Sequence, residues 1–169
     1  GGKVIAMNNA LALFEAKEGY ALSPFATEED KLNSEKAAEQ EELKERFLDF
    51  QDSERRAISA SIPGAIIENL LNKTHPMSFG LGDKYFSLKT DDRHYSLLKK
   101  AINVVYVPKD YKSYGFIGNE IKKKLNNTVS FAVDKKGDGS VIYMIDNPLF
   151  RGFWENGNLL FSNALFLVN

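Results

Sequence analysis

Residues 128–145 read TVSFAVDKKGDGSVIYMI, and this stretch gives the strongest fold signal in the chain. Two runs rich in β-branched and aromatic residues flank a polar segment, KKGDG, at 135–139. Val, Ile, Tyr and Phe favour strands, and an Asp-Gly pair such as Asp138-Gly139 is typical of tight β-hairpin turns. The stretch therefore predicts two antiparallel strands joined by a short turn.

Outward from this hairpin, the chain alternates strand-like and helix-like segments. Short apolar runs predict strands at 3–8, 65–71, 85–89 and 103–107, and Gly and Pro residues predict a loop at 73–82. Helical patterns cover 10–16, 119–125 and 158–168; the last is apolar nearly all round, which predicts a buried helix. Strands and helices in this succession are typical of an α/β fold, here with antiparallel strands added to its sheet.

A long acidic segment interrupts this pattern at 26–54. Thr27 precedes three acidic residues, which predicts an N-cap followed by a first turn that favours the helix dipole. Residues 28–54 hold eleven acidic and four basic side chains, a net charge of −7, whereas the rest of the chain carries +6. We expect a helical insertion with a solvated charged face inside one domain of residues 1–169. The alternative is an acidic arm that pairs with the basic surface of a neighbouring domain.

Composition argues against several classes of function. The 169 residues suffice for one domain, and the absence of cysteine excludes disulfides, thiolate zinc sites and a cysteine nucleophile within them. A net charge of −1 and the lack of a DNA or RNA motif argue against nucleic-acid binding, although basic and aromatic residues are interleaved at 84–124. No apolar run reaches the roughly 18 residues that span a bilayer. Because Gly1 leads almost at once into a strand-like run, we expect a piece of a longer polypeptide.

The two histidines do not form a metal site by their spacing. His75 and His94 are 19 positions apart, and neither is followed by a glutamate at the helical offset that zinc ligands use. His75 lies in the tripeptide Thr-His-Pro, where the proline fixes the backbone that follows. It is either a general base in a rigid loop or a structural residue that bonds to the loop backbone.

The string IDNPLFRGFW at 145–154 is the most informative candidate site. It places Arg151 and Trp154 among phenylalanines, close in sequence to Asp146. A guanidinium bonded to that carboxylate and stacked on aromatic rings would clamp the last strand to the last helix. An arginine that binds an anion in a cleft is the alternative.

Four strings carry a resemblance to a known family: GGKVIAMNNA, IPGAI, NKTHPMSFGLGDKYFSLK and DNPLFRGFWENGNLLFSNALFLV. In their order along almost the whole chain they resemble the C-terminal region of large bacterial zinc carboxypeptidase proteins of the carboxypeptidase A-like family, typical of Bacteroidetes. That region looks like a class I glutamine amidotransferase-like domain with a flavodoxin-like α/β fold, here expected to be truncated at its N-terminal side. An active amidotransferase has a nucleophilic cysteine and a His-x-Glu pair; this chain has no cysteine, and Met77 follows His75 at the position of that glutamate.

The resemblance implies a non-catalytic accessory domain that supports or presents an upstream peptidase domain of a secreted or periplasmic protein. It implies no cofactor in this chain, with zinc held in the upstream domain, and the upstream domains of the same polypeptide as partners. The alternative is a degenerate amidotransferase-like domain that binds a peptide, a glycan or another small ligand in a cleft near His75 and Arg151. A third possibility, an enzyme in its own right, is disfavoured by the missing nucleophile and metal ligands.

Overall fold

A computed structural model describes residues 1–24, 28–45 and 50–168, and within them one seven-stranded sheet and four α-helices. The strands are β1 (Lys3–Met7), β2 (Gly64–Leu71), β3 (Lys84–Lys89), β4 (Ile102–Val107), β5 (Ser113–Phe116), β6 (Thr128–Lys136) and β7 (Gly139–Met144). The helices are α1 (Glu28–Glu45), α2 (Phe50–Ser59), α3 (Asn119–Lys124) and α4 (Glu155–Phe166). The prediction of a fold that mixes helices and strands around one sheet is confirmed.

The sheet is mostly antiparallel. Its strand order is β1-β7-β6-β4-β2-β3, with β5 paired to β2 off this path. Only the β1–β7 pair is parallel among the described strands. A flavodoxin-like sheet is built from parallel strands joined by helical crossovers, so that finer class is not confirmed.

The predicted hairpin is confirmed as β6–β7, and it lies inside the sheet between β1 and β4. Lys136 pairs with Gly139, so the turn is formed by Gly137 and Asp138 rather than by the expected Asp138-Gly139 pair. Gly137 has a φ of 56°, a left-handed conformation that glycine adopts without steric cost. Gly137 therefore occupies the first position of the turn, and the whole turn lies one residue earlier than the sequence pattern predicts.

Apolar side chains cover both faces of this hairpin. On the face toward α4, Phe131 and Ile142 pack with Tyr85 and Leu160, and all four are almost fully buried. On the opposite face, a second buried cluster combines Ala6, Leu11 and Leu22 of the N-terminal segment with Tyr95, Val129 and Tyr143. Burial on two faces explains why β6 and β7 are nearly continuous hydrophobic runs instead of alternating patterns.

The sheet is strongly curled. Lys89 at the end of β3 contacts Asp146, two residues beyond β7, although β6, β4 and β2 lie between these strands in the sheet order. Four strand spacings in a flat sheet would separate β3 from β7 by about 19 Å. Asn69 on β2 likewise bonds to Ser130 on β6. Curling therefore brings the ends of non-adjacent strands to one place.

Three helix predictions need correction. The N-terminal segment forms a 3₁₀-helix, Asn8–Leu13, instead of a helix at 10–16. The C-terminal helix begins at Glu155, earlier than 158, and it is not buried all round, since the side chain of Phe166 is 75% exposed. The acidic segment forms two helices, α1 and α2, while the expected cap at Thr27 lies outside the described residues. The side chains of 32–43 are all exposed, as expected for a solvated charged face.

Strand β5 was not predicted, because Ser113 and Gly115 interrupt its pattern and its pairing with β2 is a tertiary contact. The other predicted strands and α3 lie within one residue of their predicted bounds, except that β6 extends to Lys136, into the segment 135–139 that is predicted as the turn. Among the described residues, no helix is both long enough and apolar enough to cross a membrane.

Replacing Gly157 by alanine should lower the free energy of unfolding by about 1–3 kcal/mol. A Cβ at this buried position of α4 would collide with the backbone carbonyl of Pro148, which outweighs the better helix propensity of alanine, about 1 kcal/mol. Urea denaturation measures the change. Gly82→Ala is the control, because a Cβ there meets no described atom within 4 Å apart from its chain neighbours. Equal stabilities of the two variants would contradict the close packing of α4 on Pro148.

Candidate ligand-binding groove

The backbone between β7 and α4 reverses through an unusual turn. Phe150–Gly152 form a single 3₁₀ turn, in which Arg151 has a φ of 51° and Gly152 a φ of 72°. Glycine tolerates a left-handed conformation, but for arginine it costs about 1 kcal/mol or more. The surrounding contacts must hold Arg151 in place, and residues under such strain cluster at binding sites.

Three aromatic rings, one in this turn and two directly after it, form a row. The Phe150 and Phe153 ring centroids are 6.2 Å apart, and those of Phe153 and Trp154 are 5.9 Å apart. At the Phe150 end of the row, away from Trp154, the Arg151 guanidinium carbon lies 5.1 Å from the Phe150 centroid, within range of a cation–π interaction. Arg151 is thus stacked on an aromatic ring, as the sequence predicts.

Trp154 is fixed by a backbone bond. Its Nε1 donates to the carbonyl oxygen of Phe86 on β3 at 2.7 Å, and its ring packs against the core cluster beneath α4. The indole N–H is therefore satisfied, and the partly exposed ring is held on the rim of the sheet. This bond connects β3 to the first turn of α4.

An open groove of about 370 Å³ lies beside this indole. It is lined by three aromatic side chains and two polar ones: Phe86, Phe153, Trp154, Glu155 and Asn156. Phe153 is 58% exposed, so its ring is available to a ligand. The size falls within the usual range of small-molecule sites, and the mixture of rings with a few polar groups is typical of them.

Asp146 does not pair with Arg151, which corrects the expected clamp. Its Oδ1 accepts a hydrogen bond from the Lys89 Nζ at 3.0 Å, and both side chains are at most 5% exposed. Lys89 also lies 3.5 Å from a carboxylate oxygen of Asp91, nearer the surface. Burial, together with the charge of Asp146, raises the pKa of the Tyr85 hydroxyl.

A buried polar network next to this ion pair escaped the sequence analysis. The Asn69 Nδ2 donates to the Ser87 Oγ at 3.0 Å, and the Ser130 Oγ donates to the Asn69 Oδ1 at 2.7 Å. These contacts join β2, β3 and β6 through side chains. In the sequence, the network is visible only as a polar residue at an inward position of an apolar strand. That pattern does not show which polar residues bond to each other.

His75 has a structural role in the described chain. Its Nδ1 accepts the backbone N–H of Met77 at 3.2 Å and so caps the 3₁₀ turn Pro76–Ser78. Partial burial, with a smaller effect from the charge of Lys135, lowers the pKa of His75 below its ordinary value near 6.5. Asn163 of α4 holds the same loop, because its amide donates to the carbonyls of Met77 and Phe79.

The structure thus separates the four predicted site residues. Trp154 lines the groove, Arg151 lies at the far end of the aromatic row, and His75 and Asp146 are engaged in the contacts described above. Sequence reasoning missed the other four lining residues; Phe153 and Glu155 are neighbours of Trp154, but Phe86 comes from a distant strand. Among the described residues, no group of three or more His, Asp or Glu side chains is placed to hold a metal ion.

No protein-family model matches this chain, and neither the curated proteins nor the solved structures searched contain a match. Inferences about the function of this chain therefore rest on the groove and its contacts.

Acidification should destabilise the fold through His75. The folded state holds the neutral imidazole, so the unfolded chain takes up a proton first as the pH falls through about 6.5, and stability decreases. Thermal unfolding between about pH 7.5 and 5 should show this slope, and His75→Asn, which keeps a cap acceptor, should reduce it. His94→Asn removes the other histidine and tests whether the slope belongs to position 75. An unchanged slope in His75→Asn would refute the assignment.

Breaking the buried ion pair should be costly. Asp146→Asn leaves the Lys89 ammonium buried without its closest partner, and we expect a loss of about 3–5 kcal/mol in the free energy of unfolding. Replacing both residues with apolar ones (Lys89→Met with Asp146→Leu) should recover much of it. Asp83→Asn is the control, since its partner Lys73 is exposed and the unfolding midpoint should barely move. If Asp146→Asn behaves like this control, the buried pair does not hold the strands together.

Proposed function

We propose that this chain is a non-catalytic recognition domain, an accessory part of a larger protein. The observation that supports the proposal best is the open groove at Trp154, where rings and two polar side chains remain accessible. The ionisable side chains that could transfer protons make structural contacts instead: Lys89 neutralises Asp146, and the Nδ1 of His75 accepts a backbone N–H. Such a surface suits binding by stacking and hydrogen bonding better than it suits proton transfer.

The resemblance supports a particular setting for this domain. In that setting, an upstream zinc metallocarboxypeptidase domain of a secreted or periplasmic protein hydrolyses C-terminal peptide bonds with a zinc-activated water, and this chain supports or presents it. Zinc belongs to the upstream domain, and this chain needs no cofactor. An amidotransferase-like, flavodoxin-related origin is part of the same proposal; the parallel β1–β7 pair is the element that fits it.

A second candidate is a degenerate amidotransferase-like domain whose own function is to bind a small ligand. The groove favours this candidate, because its volume of about 370 Å³ is that of a ligand site. Its place differs from the expected cleft near His75 and Arg151, since neither residue is among those that line it. In the accessory role, the action of the peptidase domain on large substrates depends on this domain. In the second candidate it does not.

Removal of this domain from the full-length polypeptide tests the accessory role. We expect kcat on a short C-terminal peptide substrate to stay the same, while KM for a large, polymer-attached substrate rises because anchoring is lost. The isolated chain, with or without added zinc, should hydrolyse neither substrate. Hydrolysis by this chain alone would overturn the proposal, and an unchanged KM would favour the second candidate.

A further inference from the structure

We infer that the groove at Trp154 binds a neutral oligosaccharide, an inference that rests on the proposed recognition function. The first argument is the form of the aromatic surface. Phe153 is 58% exposed and lies against Trp154 with an angle of 59° between the ring planes. Two tilted rings in an open groove offer faces on which the C–H face of a sugar can stack.

The second argument concerns hydrogen bonding. The Trp154 Nε1 is already bonded to the carbonyl of Phe86, so the indole offers a ligand only its ring. The polar residues that line the groove are Glu155 and Asn156, whose side chains carry a carboxylate and an amide. A carboxylate accepts and an amide both donates and accepts, the combination that suits hydroxyl groups.

The third argument is charge. Among the described residues, no lysine or arginine lines the groove, whereas Glu155, which does line it, carries a carboxylate. This carboxylate lies in the first turn of α4, where it balances the positive end of the helix dipole. The only cation of the aromatic row, Arg151, is stacked on Phe150 at its other end. A peptide carboxylate, a phosphate or an acidic sugar would meet repulsion without a counter-ion, so the favoured ligand is uncharged.

The chain supplies its own reporter for the test. Trp154 is the only tryptophan, so its fluorescence reports this groove alone. We would titrate the chain with neutral hexasaccharides of glucose, mannose and N-acetylglucosamine, and in parallel with oligogalacturonate and a hexapeptide with a free C-terminus. At least one neutral sugar should shift the emission, with calorimetry confirming the affinity. Oligogalacturonate and the hexapeptide, which is N-acetylated so that its carboxylate stands alone, should bind at least tenfold more weakly.

Variants then place the binding in the groove. Phe153→Ala should weaken sugar binding by about tenfold or more, the usual cost of losing an aromatic anchor, and Asn156→Ala should weaken it by a smaller factor. Phe166→Ala is the matched control, because this ring is 75% exposed at the end of α4 but is not among the residues that line the groove. Circular dichroism and unfolding midpoints verify that each variant folds.

The outcomes separate this inference from the proposed function. Preference for the peptide or for oligogalacturonate, or a Phe153→Ala variant that binds the sugar as well as the Phe166→Ala control does, would overturn the sugar assignment and leave a recognition domain in place. A failure of all neutral sugars to bind would also overturn it, and the accessory role would still be decided by the domain-deletion experiment. Hydrolytic activity of the chain would instead remove the proposed function itself.

Discussion

The buried ion pair between Lys89 and Asp146 is the contact on which the groove depends. It joins the end of β3 to the segment that follows β7, across three intervening strands. The charges are 3.0 Å apart and almost completely removed from water, so the loss of Asp146 would leave the buried Lys89 with only the more distant Asp91 as a partner. A curled sheet is the geometry that satisfies this requirement, and the curl in turn brings β3 beside the turn that carries the aromatic row.

A second link between the same regions comes from the indole of Trp154. Its bond to the Phe86 carbonyl fixes the start of α4 on β3, while the close approach of Gly157 to Pro148 fixes the helix from below. The ion pair, the indole bond and this packing all hold the segment 146–157 in place. Together they determine the path through Arg151, whose left-handed backbone would otherwise relax. These contacts fix the backbone on both sides of the groove.

The same contacts explain why we propose binding, and not catalysis, as the function of the groove. Asp146 and His75 could transfer protons as free side chains, but here they stabilise the fold. Asp146 does so by its ion pair and His75 by its bond to the Met77 N–H. The accessible groups are an exposed ring, a fixed indole face, a carboxylate and an amide. These groups bind through complementary shape and hydrogen bonds, and the proposal of a non-catalytic accessory domain follows from that division of roles.

Most of the local elements can be predicted from the residues alone, because strand and helix formation here depends on the type and spacing of neighbouring residues. The β6–β7 hairpin, strands β2 to β4 and helix α3 follow from apolar runs and turn residues within 128–145 and similar short stretches. Trp154 and Arg151 were also recognisable, since an arginine among aromatic residues is a local pattern. The tertiary structure decided the antiparallel strand order, the pairing of β5, the choice of Lys89 over Arg151 as the partner of Asp146, and the entry of Phe86 into the groove. Each of these joins residues far apart in the chain, and a residue's own neighbours in sequence carry no information about which distant charge or ring the curl of the sheet will bring to it.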